Sequence, residues 1–217
     1  MIEACIFDLD GVLTDTARYH FLSWGRLAQE LDIPFTEADN ERLKGVSRMK
    51  SLDIILEIGG KTLDEAAKED MAAKKNIWFK EFILKMTPDE VLPGVVPFLT
   101  ELQQAGIKIG LGSASKNAQT ILKQINLIEP FDTMVDGNRV SKAKPDPEIF
   151  LLGAKELAVQ PANCVVFEDA IAGIDAAKNG GFKSIGVGSP EVLGHADYVI
   201  SGFDGFTLSK LKEVFNA

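Results

Sequence analysis

Ala4-Cys5-Ile6-Phe7-Asp8-Leu9-Asp10-Gly11 ends the first apolar run of the chain with two carboxylates two residues apart. The run from Ile2 to Phe7 is short, aliphatic and aromatic, which reads as a buried strand. Side chains alternate along a strand, so Asp8 and Asp10 leave its C-terminal end toward the same side. Gly11 then lets the backbone turn sharply. In an open α/β sheet, ligands bind beyond the C-terminal ends of the strands. Two acids at that edge can divide the labour, one as nucleophile and one as acid or base. A pair of solvated loop acids is the plain alternative, and the rest of the chain must decide between them.

Composition narrows the choice. A chain of 217 residues is long enough to bury a substantial core, as one domain with a large insertion. With 46% hydrophobic and 25% charged residues it reads as an ordinary soluble globular protein. A formal charge of −9 argues against nucleic acid or an anionic membrane surface as the main partner. No apolar stretch is long enough to span a bilayer, and no signal-type region opens the chain. The two cysteines, Cys5 and Cys164, both fall in expected buried strands and read as reduced core thiols. These features point to a cytoplasmic enzyme or binding protein.

From about residue 88 onward, short apolar runs alternate with helical patterns. Ile107–Leu111, Cys164–Phe167, Ser184–Val187 and Tyr198–Ile200 are expected strands. Val95–Gln104, Asn117–Ile125, Pro147–Leu157 and Ala170–Asn179 are expected helices, with Gly106 and Gly180 at C-terminal glycine positions. The alternation predicts an α/β fold: a Rossmann-like core with a mostly parallel sheet covered on both faces. Residues 14–87 break it. Ala17, Trp24, Leu27, Ala28 and Leu31 keep helical spacing, and Thr36-Glu37-Ala38-Asp39 and Thr62-Leu63-Asp64-Glu65 resemble capping boxes opening helices, the second running to about Lys85. The expected division is a core of residues 1–13 and 88–217, with a helical cap of residues 14–87 inserted after the first strand. Such an insertion stands over Asp8 and Asp10 as a lid.

Three further segments fall at the same expected sheet edge: Gly112-Ser113-Ala114-Ser115, Lys144-Pro145-Asp146-Pro147 and Glu168-Asp169. Each has a plain reading as a loop start, an exposed charge or a helix cap. In order with Asp8-Leu9-Asp10-Gly11, however, the set resembles the haloacid-dehalogenase-like phosphotransferases across the whole chain. Phosphoryl transfer to a carboxylate needs cations to offset the meeting of two anions. Asp8, Glu168 and Asp169 make an oxygen-rich cluster suited to Mg²⁺. The resemblance implies that Asp8 is the nucleophile and becomes an aspartyl phosphate. It implies that Asp10 gives the metal its backbone carbonyl while its side chain is the general acid and base. Lys144 would supply a fixed charge, worth about 4 kcal/mol at ~4 Å and an effective dielectric of 20. The Ser113 hydroxyl and adjacent amides would hold a phosphoryl oxygen.

The insertion bears on the acceptor. Thr14-Asp15-Thr16 leads into a helix with His20 and Trp24, and Leu43-Lys44-Gly45-Val46-Ser47-Arg48 lies between cap helices. With Ser113-Ala114-Ser115-Lys116-Asn117 these resemble the β-phosphoglucomutase family. That family interconverts β-glucose 1-phosphate and glucose 6-phosphate through β-glucose 1,6-bisphosphate. The resemblance implies a second, distal phosphate site, for which Arg48 offers a planar fork and Ser115, Lys116 and Asn117 further donors. Distal binding energy would close the cap, which water cannot do. The resemblance also implies that His20 links closure to Asp10, that Thr16 sits at the hinge, and that Lys75 supports His20. Lys44, Gly45, Val46, Ser47, Ser51 and Ala114 complete its substrate contacts. Trp24 reads either as cap packing or as a wall of the sugar pocket. A sugar-phosphate phosphatase of the same superfamily and a non-catalytic phosphosugar-binding module are the competing readings. Nothing in the sequence requires more than a monomer.

Overall fold

The first strand, β1 (Ala4–Phe7), is buried on both sides: Ala4 and Ile6 join one apolar cluster, Cys5 and Phe7 another. Such a strand belongs in the middle of a covered sheet. A computed structural model describes residues 1–216 and places it there. The other strands are β2 (Lys108–Gly112), β3 (Thr133–Val135), β4 (Cys164–Glu168), β5 (Lys183–Val187) and β6 (Tyr198–Ile200). Their order is β3-β2-β1-β4-β5-β6, and every pairing is parallel. The order reverses at β1, with β2 on one side and β4 on the other, so a crevice opens beyond its C-terminal end.

Between β1 and the rest of the sheet run α1 (Ala17–Glu30), α2 (Glu37–Glu41), α3 (Arg48–Ile58) and α4 (Glu65–Ile83). They bury a cluster of their own around Trp24, Leu27, Leu52, Ile55 and Trp78. After them come α5 (Val95–Gln104), α6 (Ala118–Gln124), α7 (Glu148–Glu156), α8 (Ile171–Asn179), α9 (Pro190–Leu193) and α10 (Leu208–Val214). One sheet face packs on α5, α6 and α10, the other on α7 and α8. Phe79 and Ile83 of α4 reach into the first of these clusters, so the last helix of the insertion is rooted in the core. Phe7 of β1 and Phe167 of β4 stack at 4.7 Å, fixing side by side the two strands that carry the acids.

Two linkers join the insertion to the sheet, and they are bonded to each other. Leu92 N donates to Leu13 O at 2.9 Å, and the buried Thr14 Oγ1 donates to Glu90 O at 2.7 Å. Tyr19 Oη and Arg18 Nη2 both donate to Glu90 Oε2.

Several sequence expectations shift. The expected strands and core helices are present within one or two residues, but β3, only three residues long, carries no readable alternation. Asp64 caps α4 by accepting from Ala67 N, two residues after the Thr62 expected to open it, and α4 ends at Ile83 rather than near Lys85. The Thr36 capping box forms but opens a five-residue helix. Arg48 is the first residue of α3, not part of a loop between helices. Gly180 has an ordinary helical φ, and it is Gly181, at φ +76°, that breaks away from α8. Cys5 and Cys164 sit on adjacent strands but face opposite sides of the sheet, which leaves both as free thiols. Burial raises both, Cys164 to about 11.

Candidate active site

Asp8 continues the β1 ladder, its N–H donating to Phe167 O at 2.9 Å, so its backbone is fixed by the sheet. Its carboxylate is held at both oxygens. Lys144 Nζ donates to Oδ1 at 2.6 Å, and Asp10 N donates to Oδ2 at 3.0 Å. Leu9 O accepts from the N–H groups of Leu13 and Thr14, closing a tight turn in which Gly11 takes φ +75°. That turn delivers Asp10 beside Asp8. Thr16 begins α1 as its N-cap, yet its hydroxyl makes no cap bond and instead donates to Asp10 Oδ1. Burial, and then the Asp8 charge, push the Asp10 carboxyl up to about 7. A carboxyl in that range can hold a proton and give it up near neutral pH.

Lys144 is fully buried and also donates to Glu168 Oε1 at 2.8 Å. Burial pulls its ammonium down, but Asp8 and Glu168 outweigh that and raise it, so it stays charged. Glu168 ends β4, and its other oxygen accepts from Asp169 N at 2.7 Å. Gly173 of α8 makes room for it, since a β-carbon there would stand 1.6 Å from Glu168 Oε1.

Asp8, Glu168 and Asp169 each direct a carboxylate oxygen to within 4.8 Å of the others. Burial, then Glu168 and Asp8, push Asp169 up to about 9, the sign of acids crowded beyond what Lys144 offsets. Three hard oxygen donors short of positive charge fit a cation such as Mg²⁺.

Beyond β2, Ser113 Oγ accepts from Ser115 N and Ser115 Oγ from Asn117 N, so both hydroxyl protons remain free to donate. Ser113 and Asn117 are buried, while Lys116 is exposed. Sequence reasoning missed what supports this loop. Asn138 Nδ2 donates to Lys116 O, and Gly137 lies so close to Ala114 O that a β-carbon would be 2.2 Å away.

In the insertion, Lys75 Nζ lies 3.0 Å from His20 Nδ1 and over the rings of Trp24 and Phe79, at 4.6 and 4.3 Å. Lys75 is buried, and burial and then Arg48 hold it well below its usual range. His20 is lowered by burial, then by Lys75 and Arg48. Trp24 is buried within the helical cluster beneath Lys75, which makes it cap packing. Arg48 Nη2 donates to Asn76 Oδ1 at 2.9 Å. Asn76 also accepts from Asn117 Nδ2 across the cleft, a residue the helical pattern gave no reason to select.

The remaining expected contacts also take part in local structure. Ser47 caps α3 through Lys50 N, and Ser51 Oγ donates to Ser47 O. Val46 packs against the helical cluster. Lys44 pairs with Glu41 at 2.8 Å; burial lowers its ammonium, but Glu41, Asp169 and Asp15 together raise it. Gly45 lies against Ala170 of the β4–α8 loop, where a β-carbon would meet the Ala170 side chain at 2.8 Å. The insertion is therefore seated on the acidic edge of the sheet.

The family model for haloacid dehalogenase-like hydrolase matches residues 2–181. The chain belongs to that family. Among haloacid dehalogenase-like relatives, it is 45% identical over 214 residues to the β-phosphoglucomutase of Bacillus subtilis, covering 98% of this chain and 95% of that one. The phosphorylated carbohydrates phosphatase of Thermotoga maritima is 35% identical over 85% of this chain and 84% of its own. The crystal structure of β-phosphoglucomutase from Clostridium difficile superposes with a TM-score of 0.96 at 44% identity, covering 100% of this chain and 98% of that one. No helix among the described residues is long and apolar enough to cross a membrane.

Proposed function

We propose that the chain is a β-phosphoglucomutase, interconverting β-D-glucose 1-phosphate and glucose 6-phosphate through an aspartyl phosphate and β-glucose 1,6-bisphosphate. The observation that supports this reading over a phosphatase is the 45% identity to a β-phosphoglucomutase across 98% of the chain, a span that includes the helical insertion. We take residues 1–13 and 88–217 as the catalytic core and 14–87 as the cap.

Asp8, Glu168 and Asp169 would hold Mg²⁺ together with the Asp10 carbonyl. Once bound, the ion offsets charge on the phosphoryl oxygens. An Asp8 carboxylate oxygen takes a phosphoryl group from the priming bisphosphate as the bond from phosphorus to the sugar oxygen breaks and Asp10 protonates that oxygen, while Lys144 stabilises the charge that gathers there. Ser113 donates to a phosphoryl oxygen. In the forward direction, the C6 hydroxyl of β-glucose 1-phosphate attacks the aspartyl phosphate. The phosphorus–Asp8 bond breaks, and the hydroxyl proton passes to Asp10. The bisphosphate then reverses its orientation. Asp8 takes the C1 phosphoryl group, and Asp10 returns the proton to the C1 oxygen, leaving glucose 6-phosphate. Thr16 keeps Asp10 aimed, and Arg48, with Ser115, Lys116 and Asn117, takes the distal phosphate. His20 and Lys75 couple the cap to Asp10. We take the protein to work on small sugar phosphates as a cytoplasmic monomer, a reading supported by its two reduced core thiols and scattered exposed apolar residues.

The test is turnover of β-glucose 1-phosphate with Mg²⁺ and a catalytic amount of the bisphosphate, following glucose 6-phosphate and free phosphate together. Glucose 6-phosphate as the main product is expected. Free phosphate as the main product would make the protein a phosphatase.

A further inference from the structure

One oxygen joins three elements across the cleft. Asn76 Oδ1, on α4, accepts from Arg48 Nη2 at the start of α3 and from Asn117 Nδ2 in the loop beyond β2, each at 2.9 Å. Arg48 and Asn76 belong to the helical insertion, and Asn117 to the sheet side. The bond pair therefore spans both halves of the molecule and brings together two donors that no shared element positions.

The chemistry of the acceptor matters as much as its place. Among the described residues Arg48 makes no ion pair, and burial lowers its guanidinium with no carboxylate to restore it. A carboxamide oxygen orients a guanidinium without neutralising it, whereas a carboxylate in the same place would pair with it. Arg48 has five N–H donors and one is recorded on Asn76, which leaves the others for an anion. Lys75, the preceding residue, is turned to His20 and does not compete for this role.

We propose that Asn76 is a positioning residue of the distal phosphate site: its carboxamide oxygen holds Arg48 and Asn117 convergent, with Arg48 still charged, so that a phosphoryl group remote from Asp8 meets a preassembled pair of donors. This rests on the mutase reading, because the site serves only a substrate that carries a phosphate remote from the group reacting at Asp8. Preassembly reduces the ordering that binding must otherwise impose on a long side chain.

The test compares two phosphoryl donors. β-Glucose 1,6-bisphosphate carries a distal phosphate and acetyl phosphate does not, yet each offers a transferable phosphoryl group to a carboxylate nucleophile such as the proposed Asp8. Asn76→Ala suits the interior of α4, so folding should persist. It should raise KM for the bisphosphate roughly ten-fold, the scale of one charge-assisted hydrogen bond. Phosphorylation by acetyl phosphate should be unchanged. Asn76→Asp keeps an acceptor but adds a charge, and should raise KM for the bisphosphate further than Asn76→Ala. An unchanged or lowered KM in Asn76→Ala would overturn the proposal, as would an equal loss with both donors. Failure of the mutase reading shows separately: the wild-type protein would then release free phosphate in place of glucose 6-phosphate.

Discussion

Asp169 Oδ2 stands where Gly11 has no side chain: a β-carbon on Gly11 would be 2.1 Å from that oxygen. The first turn after β1 thus does more than redirect the backbone. It opens the space into which the acid at the end of β4 reaches, and so lets two strands combine their carboxylates.

Gly11→Ala should accordingly damage the acidic cluster more than the fold. The left-handed φ of +75° adds about 1–2 kcal/mol of strain, and the larger effect is displacement of Asp169. Mg²⁺ titrated into the variant by calorimetry should bind at least ten-fold more weakly, while the thermal transition remains cooperative. Unaltered Mg²⁺ binding would remove Asp169 from the proposed set.

Asp8→Asn keeps an oxygen for Lys144 but loses the proposed nucleophile. Turnover should fall on the order of 10⁴-fold or more, with no phosphoprotein formed from acetyl phosphate. Mass spectrometry of the acid-quenched protein reads this directly. A phosphorylated Asp8→Asn chain would place the nucleophile elsewhere.

Lys144→Met tests the buried charge. Its ammonium lies between Asp8 and Glu168 at 2.6 and 2.8 Å, and removing it leaves two acids buried without their cation. A loss of about 3–5 kcal/mol is expected in urea unfolding. Millimolar Mg²⁺ should return part of it, because a dication can take over the neutralisation. A loss untouched by Mg²⁺ would argue against a cation site beside Lys144.

Lys75 gives the pH dependence its sign. Its folded value lies well below the ordinary 10.5, so between those limits the unfolded chain binds the extra proton. Stability from this group is complete above 10.5 and is lost as pH falls toward the folded value, with a slope of up to about 1.4 kcal/mol per pH unit. His20 behaves the same way below its ordinary 6.5. Lys75→Met should therefore gain stability relative to wild type as pH falls from about 10 to 7, read by urea midpoints. A difference independent of pH would mean that Lys75 keeps its ordinary protonation in the folded protein.

The core was legible because its strands are apolar runs between glycines and caps, and because the clustered acids sit at their ends. Ile2–Phe7 announced both β1 and the position of Asp8, and Cys164–Phe167 did the same for Glu168 and Asp169. Where the local pattern was weak, the reading failed. Thr133–Val135 is too short to alternate and is strand only because Gly110, Leu111 and Gly112 of β2 pair with it. Thr62 and Asp64 are both good caps two residues apart, and it is Asp64 that accepts from the helix N-terminus. Asn76 could not be selected at all: a half-exposed amide on a helix looks like solvent-facing surface until Arg48 and Asn117, distant in sequence, arrive on either side of it.

The bonds between Leu13 and Leu92, and between Thr14 and Glu90, mean that the chain leaves the sheet and returns to it at one point. To the strands, the helical insertion is a closed loop whose length is of little consequence, since loop closure depends on the separation of the ends and only weakly on what lies between them. The four helices can thus be regarded as an exchangeable cassette, provided that a replacement fills the core where Phe79 and Ile83 enter it. A different set, grafted between residues 14 and 90, would leave Asp8, Lys144 and Glu168 in register while changing which molecule is brought to them.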